Sequence, residues 1–182
     1  YLERARHGAQ RLEQILQRLR EATGLEQALH HAETVRFDLA ALLRLQTASL
    51  RGTYPDISLE LAGAEGEIPM TGVPDLISQA LDKLVSNAVD FHSPGSPIQI
   101  RCVPTHHEVE LSVINEGRLL PGDADIFQSM YSGREGRQEE PHLGLGLYLV
   151  RLICEFHGGS ARASNIGRPS GVAVTLHLPT SN

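Results

Sequence analysis

Apolar positions recur along the chain with two periods, and these divide it into helices and strands. Leu2, Ala5, Ala9, Leu12, Leu16 and Leu19 form a stripe at helical spacing with Arg and Glu between them, so residues 1–34 are expected as one long helix. Such a stripe cannot bury itself, and the helix needs a partner helix or the domain that follows. Gly24 is its weak point, since glycine costs about 1 kcal/mol relative to alanine inside a helix. A second unit opens at Phe37. Asp38 reads as the N-cap of a helix that places Leu39, Leu42, Leu43 and Leu50 on one face and ends near Gly52.

Strand and helix patterns then alternate. Ile57, Leu59 and Leu61 have the period of a half-buried strand, and a glycine-containing loop follows. Asp75 is expected to cap a helix running to about His92. Ile98, Ile100 and Cys102 alternate, as do Val109, Leu111 and Val113, which predicts a hairpin across a Pro-containing turn that ends at Asn115-Glu116-Gly117. Residues 128–143 are polar and aperiodic and are expected to form a mobile loop. Leu145 to Phe156 reads as an apolar helix stopped by Gly158-Gly159, and Val172, Val174, Leu176 and Leu178 mark the last strands. This order predicts an α+β fold with helices packed on one face of a mixed sheet.

Composition narrows the chemistry. A chain of 182 residues suits one domain and one extra element, and it opens without Met inside a predicted helix, as a piece of a longer protein would. A net charge of −6 offers no basic excess to release counterions, which argues against nucleic acid as a partner. Cys102 and Cys154 are read as free thiols in a reducing compartment. His106 and His107, as neighbours on a strand, would point to opposite faces and would not share a metal with Cys102. No apolar run approaches the ~20 residues that span a bilayer. The 16 basic residues comprise 15 Arg and one Lys, Lys83, and no phosphate-binding G-x-x-x-x-G-K-[ST] loop is present.

Lys83 lies on the helix that carries the candidate chemistry. At 100° per residue, Gln79, Lys83, Asn87 and Asp90 fall within about 80° of one another, opposite Ile77, Leu81, Leu84 and Ala88. A solvated face explains much of this, but Asn87 is a poor helix former in mid-helix. The segment Gln79 to Ala88 resembles the N-box of sensor histidine kinases, in the ATP-binding superfamily shared with gyrase, Hsp-type chaperones and mismatch-repair proteins. Val113-Ile114-Asn115-Glu116-Gly117 resembles the first glycine box, Ile126-Phe127-Gln128-Ser129-Met130-Tyr131 the phenylalanine box, and Gly144-Leu145-Gly146-Leu147-Tyr148-Leu149-Val150 the second glycine box. Phe37-Asp38-Leu39 is similar to the usual start of the domain.

The resemblance implies a Bergerat-type ATP-binding fold, a two-layer α/β sandwich with a mostly antiparallel sheet. Residues 1–36 would be the second helix of the dimerisation bundle and residues 37–182 the catalytic domain. It implies ATP and Mg²⁺ as cofactors, with Asn87 as an oxygen ligand to the metal. Nucleotide contacts are implied for Asn87, Asp90, Phe91, Asn115, Gly117 and Leu120, and further along for Phe127, Leu143, Gly144, Leu145, Gly146 and Leu147. Phe91 would lie against adenine or simply serve as a core contact. Residues 128–143 correspond to the ATP lid, where Arg134 and Arg137 could reach a phosphate. Gly144 and Gly146 do not fit a dinucleotide fingerprint, because a polar loop precedes them and Leu149 stands where the third glycine belongs. The implied partners are the protein's own dimerisation helices and a response regulator, with the fragment on the cytoplasmic side of a bacterial inner-membrane sensor and not itself membrane-inserted.

Four positions depart from the family pattern. Lys83 replaces the usual Asn, or the Glu with which the superfamily's ATPases activate water; an ammonium has no lone pair with which to act as that base. Asp90 stands where kinases carry Lys, so either the cation has moved to position 83 or Lys83 and Asp90 neutralise each other. Asn115 replaces the Asp that accepts from the adenine amino group, and Leu119 replaces a glycine. No acceptor histidine fits the family's H-E-x-R-T-P pattern at His7, His30 or His31. The leading expectation is therefore the ATP-binding catalytic portion of a sensor histidine kinase, with Lys83 and Asn87 central to catalysis and the phosphoacceptor elsewhere. A degenerate nucleotide-binding regulatory module without kinase activity and a purely helical dimerisation fragment are the alternatives.

Overall fold

A computed structural model describes residues 24, 29, 32–120, 126–127 and 145–180. The long helix expected at the N-terminus and the loop expected over 128–143 therefore lie outside the described residues, apart from isolated positions of the former. In chain order the elements are β1 (Val35–Asp38), α1 (Leu39–Thr53), β2 (Leu59–Ala62), β3 (Pro69–Gly72), α2 (Pro74–Phe91), β4 (Ile98–Pro104), β5 (Glu108–Glu116), α3 (Leu145–Phe156), β6 (Ser160–Ile166) and β7 (Gly171–Pro179).

Asp38 caps α1 as expected: its Oδ1 accepts from Ala40 N–H at 2.9 Å, and the same oxygen accepts from Ile68 N–H at 2.9 Å. One carboxylate thus ends β1, starts α1 and fixes the approach to β3. Leu39, Ala40, Leu43, Thr47 and Leu50 form the buried face of α1. The small antiparallel sheet of β1 and β3, with Phe37 opposite Met70, has no counterpart in the sequence reading, because strands of four residues are too short to show a period. Ile57 is not part of a strand. Its N–H is taken by the Tyr54 carbonyl at 3.1 Å in the turn that leaves α1, and β2 begins two residues later.

Asp75 does not cap α2. Val73 holds that position without a side-chain cap, Pro74 opens the helix with no N–H to satisfy, and Asp75 sits in the first turn near the positive end of the helix dipole. The main sheet has the order β2-β4-β5-β7-β6. β2 and β4 are parallel, with α2 in the connection between them, and every other pairing is antiparallel. This is the mixed, mostly antiparallel sheet expected.

Alternation then sorts the side chains. Ile98, Ile100 and Cys102 of β4, Val109, Leu111 and Val113 of β5, and Val172, Val174, Leu176 and Leu178 of β7 are buried in one core with α1, α2 and α3. The opposite face is polar; Ser112 and Thr175, paired across β5 and β7, have their hydroxyls 2.8 Å apart there. Cys102 and Cys154 are free and buried. Burial, and then the nearby Glu65 and Glu155 respectively, push the Cys102 thiol up to about 11 and the Cys154 thiol up to about 12, so neither is a reactive thiolate at neutral pH. His106 and His107 lie in the turn between β4 and β5 rather than on a strand, so strand alternation is not what separates them. Among the described residues, no helix is long and apolar enough to cross a membrane.

Candidate functional site

The two faces of α2 are divided as its periodicity predicts. Leu76, Ile77, Ala80, Leu81, Leu84, Val85 and Ala88 are buried. Lys83 and Asn87 are half-buried, and Gln79 and Asp90 are exposed. Phe91, in the last turn, is half-buried. Asp90 also lies in that last turn, which has no basic residue, so its carboxylate faces the negative end of the helix dipole.

The end of α2 meets the end of β5. His92 bridges to Gly117, and Ser93 N–H donates to the Glu116 carbonyl at 2.8 Å. Gly117 has φ +148°, and a Cβ there would lie 2.2 Å from the Phe91 carbonyl oxygen. Any side chain would force the two elements apart, so Gly117 is demanded by backbone contact between them. Two residues earlier, strand alternation turns Asn115 to the same side as Val109, Leu111 and Val113. It is 5% exposed, one of two buried polar or charged residues among those described, the other being Thr47 on α1. Its Nδ2 donates to the Glu116 carbonyl at 3.2 Å.

α3 runs antiparallel to α2, because its far end is tied to the start of α2. His157 Nε2 accepts from Val73 N–H at 3.0 Å, and His157 Nδ1 lies 2.7 Å from the Ile153 carbonyl. Accepting at Nε2 leaves the proton on Nδ1, which donates to Ile153, so the ring is held in one neutral tautomer. Burial lowers its pKa, opposed by the bond to the Ile153 carbonyl, which favours the charged form. With a rise of 1.5 Å per residue, Gly146 lies about 17 Å from that tie and Asn87 about 21 Å along α2, so they fall within one helical turn of the same level. The first turn of α3 contains no acidic side chain.

The remaining predicted positions divide. Leu120 and Leu147 are half-buried and pack against the core, and Phe127 is buried within it. Leu120 is also held by Asn165 of β6, whose Oδ1 accepts from its N–H at 2.8 Å and whose Nδ2 donates to its carbonyl at 3.1 Å. Leu145 starts α3, while Leu143, Gly144, Arg134 and Arg137 lie outside the described residues, as do His7, His30 and His31. The structure therefore brings Asn87, Phe91, Asn115, Gly117 and the start of α3 to one end of the helix layer. Sequence reasoning missed Asn165 and His157. Asn165 offers a weak signal, an Asn within a strand; His157 only reads as a helix C-terminal residue, and its partner 84 positions away is invisible to local pattern.

Residues 72–182 match the family described as Histidine kinase-, DNA gyrase B-, and HSP90-like ATPase. Sensor protein ChvG of Rhizobium meliloti (strain 1021) is 30% identical over 95% of this chain, which spans 33% of that relative. The chain thus covers between a fifth and a third of the length of the curated relatives it matches. Among solved structures, the catalytic domain of histidine kinase ThkA superposes with a TM-score of 0.71 at 23% identity, covering 83% of this chain and 100% of that one, which establishes the shared fold. The ATP binding domain of PrrB from Mycobacterium tuberculosis superposes with a TM-score of 0.66 at 25% identity, over 83% and 100% of the two chains. The chain belongs to the histidine kinase-, DNA gyrase B- and HSP90-like ATPase family, and its relatives include sensor histidine kinases.

Proposed function

We propose that the chain is the ATP-binding catalytic portion of a two-component sensor histidine kinase, which transfers the ATP γ-phosphoryl group to a histidine on a dimerisation helix. The observation that carries this reading is the convergence of Asn87, Asn115 and the start of α3 on one end of the helix layer, in a chain of that family.

The donor set fits a magnesium nucleotide. Asn87 offers a neutral amide oxygen, which suits a hard cation that retains waters. Mg²⁺, when bound, would neutralise charge on the phosphate oxygens. A Cβ at Gly146 would meet no atom within 4 Å, so the fold itself does not require glycine there. A glycine that costs about 1 kcal/mol relative to alanine is accounted for by close approach of a phosphate to the first turn of α3, whose N–H groups point outward. Asn115 would hold the adenine edge, with Nδ2 already engaged by Glu116 and Oδ1 left to accept. Lys83 would supply positive charge to the phosphates in place of the residue that Asp90 replaces. Catalysis would then rest on positioning and charge stabilisation rather than on activation of water.

On this reading residues 1–36 belong to the dimerisation bundle and residues 37–182 to the catalytic domain. In support, Leu39 and Leu43 of α1 share one core with α2 and the sheet. The partners are the protein's own dimerisation helices and a response regulator, and the domain works on the cytoplasmic side of an inner-membrane sensor.

Thermal unfolding with Mg²⁺-ATP tests the reading, because ligand at 100 times its dissociation constant adds about 2.7 kcal/mol. No shift at millimolar ATP would overturn it. Mixing the chain with a separately expressed acceptor helix pair should then yield phosphohistidine, and binding without transfer would make it a regulatory nucleotide module instead. Lys83→Asn should restore the usual kinase residue and separate the two states of the Lys83–Asp90 arrangement: transfer falls if Lys83 contacts phosphate and is retained if it only neutralises Asp90.

A further inference from the structure

Three ligating groups meet on the outer face of the sheet, away from the helices. Glu108 and Glu110 are alternate residues of β5 and leave the strand on the same side. Glu110 stands opposite His177 of β7. His177 Nδ1 lies 3.1 Å from Glu108 Oε1, and one ligating atom from each of the three residues lies within 4.8 Å of the other two. All three are half-buried.

A hydrogen bond between His177 and Glu108 accounts for those two residues. It does not account for Glu110, whose carboxylate has no hydrogen-bond or ion-pair partner among the described residues. The positions directly opposite the three groups on neighbouring strands are Val103, Ser160 and Pro179, and the basic residues one pair further along this face, Arg101 and Arg162, form no ion pair with Glu108 or Glu110. Two carboxylates therefore share one imidazole, an arrangement that like-charge repulsion disfavours. A divalent cation would satisfy both carboxylates and engage the ring nitrogen. The imidazole favours a first-row transition ion over Mg²⁺ or Ca²⁺, which prefer oxygen throughout.

The geometry points to a divalent transition-metal site of the Zn²⁺ class, held by Glu108, Glu110 and His177 with water completing the shell. Asn115 lies five residues beyond Glu110 on the same strand, about 17 Å away at 3.4 Å per residue, and faces the opposite side of the sheet. The site is thus separate from the proposed nucleotide site, and an ion there would clip β5 to β7.

Calorimetric titration of Zn²⁺ into chelator-treated, nucleotide-free protein tests this. The wild type should bind one ion with an affinity that millimolar Mg²⁺ does not reduce. Loss of an outer partner of a metal ligand costs about 10–100-fold in affinity, so Glu110→Gln and His177→Ala, which remove ligands, should weaken binding at least tenfold. His106→Ala and His107→Ala, nearby but outside the set, should leave it unchanged. Glu110→Gln preserves side-chain shape, and an unfolding temperature equal to the wild type without metal would exclude misfolding as the cause of its loss. No binding by the wild type, or equal binding by Glu110→Gln, would overturn the site and leave the His177–Glu108 contact as a simple hydrogen bond.

Discussion

At its C-terminal end β5 turns Asn115 inward, into a layer otherwise made of Val109, Leu111 and Val113. At its N-terminal end the same strand turns Glu108 and Glu110 outward, toward His177 and solvent. The two ends differ by the parity of the strand and by what packs over each face. Inward, the helices exclude water, so a single amide is a marked departure from an apolar core. Outward, no helix among the described residues packs over the carboxylates, so polar and charged side chains are tolerated there. The comparison shows that one strand with an unbroken alternation can present two unrelated chemistries, an amide set into the apolar layer at one end and two carboxylates on the polar face at the other.

The strongest way to break the inward end is Gly117→Ala. Positive φ and a Cβ placed 2.2 Å from the Phe91 carbonyl together predict a loss of about 3 kcal/mol in stability, read as a lowered denaturation midpoint with nucleotide affinity falling in parallel. If Gly117→Ala is as stable as wild type, the contact between α2 and β5 does not set the geometry of this end. Asn87→Ala should act without touching the fold. Its half-buried position on α2 predicts an unfolding temperature near that of wild type without ligand, and a loss of Mg²⁺-dependent ATP affinity of at least about tenfold by calorimetry. Equal affinity would remove Asn87 from the site.

Asn115→Asp sharpens the same end in the opposite direction. A charge-assisted bond contributes about 1 kcal/mol more than a neutral one, so the variant should bind ATP about five- to tenfold more tightly. An amide both donates and accepts, whereas a carboxylate only accepts, so the ratio of ATP to GTP affinity should rise as well. An unchanged ratio would mean that Asn115 does not read the base.

The smallest effect concerns His157, which sets the position of α3. Burial lowers its folded-state pKa below that of the unfolded chain, so the unfolded state binds the proton more readily. Its contribution to stability is therefore complete above about pH 6.5 and is lost as the pH falls toward the folded-state value. Protonation of Nε2 would set one N–H against the Val73 N–H. Chemical denaturation across this range should show a decline in the wild type that His157→Gln lacks; the same slope in both proteins would assign the decline to other groups.

Much of this was legible in local pattern. Asp38 as a cap, the two-faced helix from Pro74 to Phe91, the hairpin of β4 and β5 and the glycine stop after α3 all follow from spacing and residue type, because each depends on neighbours within one helical turn or one strand. The order of the boxes likewise pointed to the family before any fold was known. Pattern failed where a group outside the apolar period, near or far, took a backbone N–H. Asp75 looked like a cap, but Pro74 opened the helix and Val73 gave its N–H to His157. Ile57 looked like a strand residue, but the turn after α1 used its N–H.

The sequence by itself determined the elements, the apolar faces that must be covered and the identities of the polar residues placed on them, since periodicity and side-chain chemistry are local properties. Only the tertiary structure decided that Gly117 is required by the Phe91 carbonyl, that the antiparallel run of α3 brings Gly146 level with Asn87, and that Glu110 faces His177. Those facts depend on strand register and helix docking, in which residues tens of positions apart meet because burying a shared core is more favourable than leaving each apolar face in water.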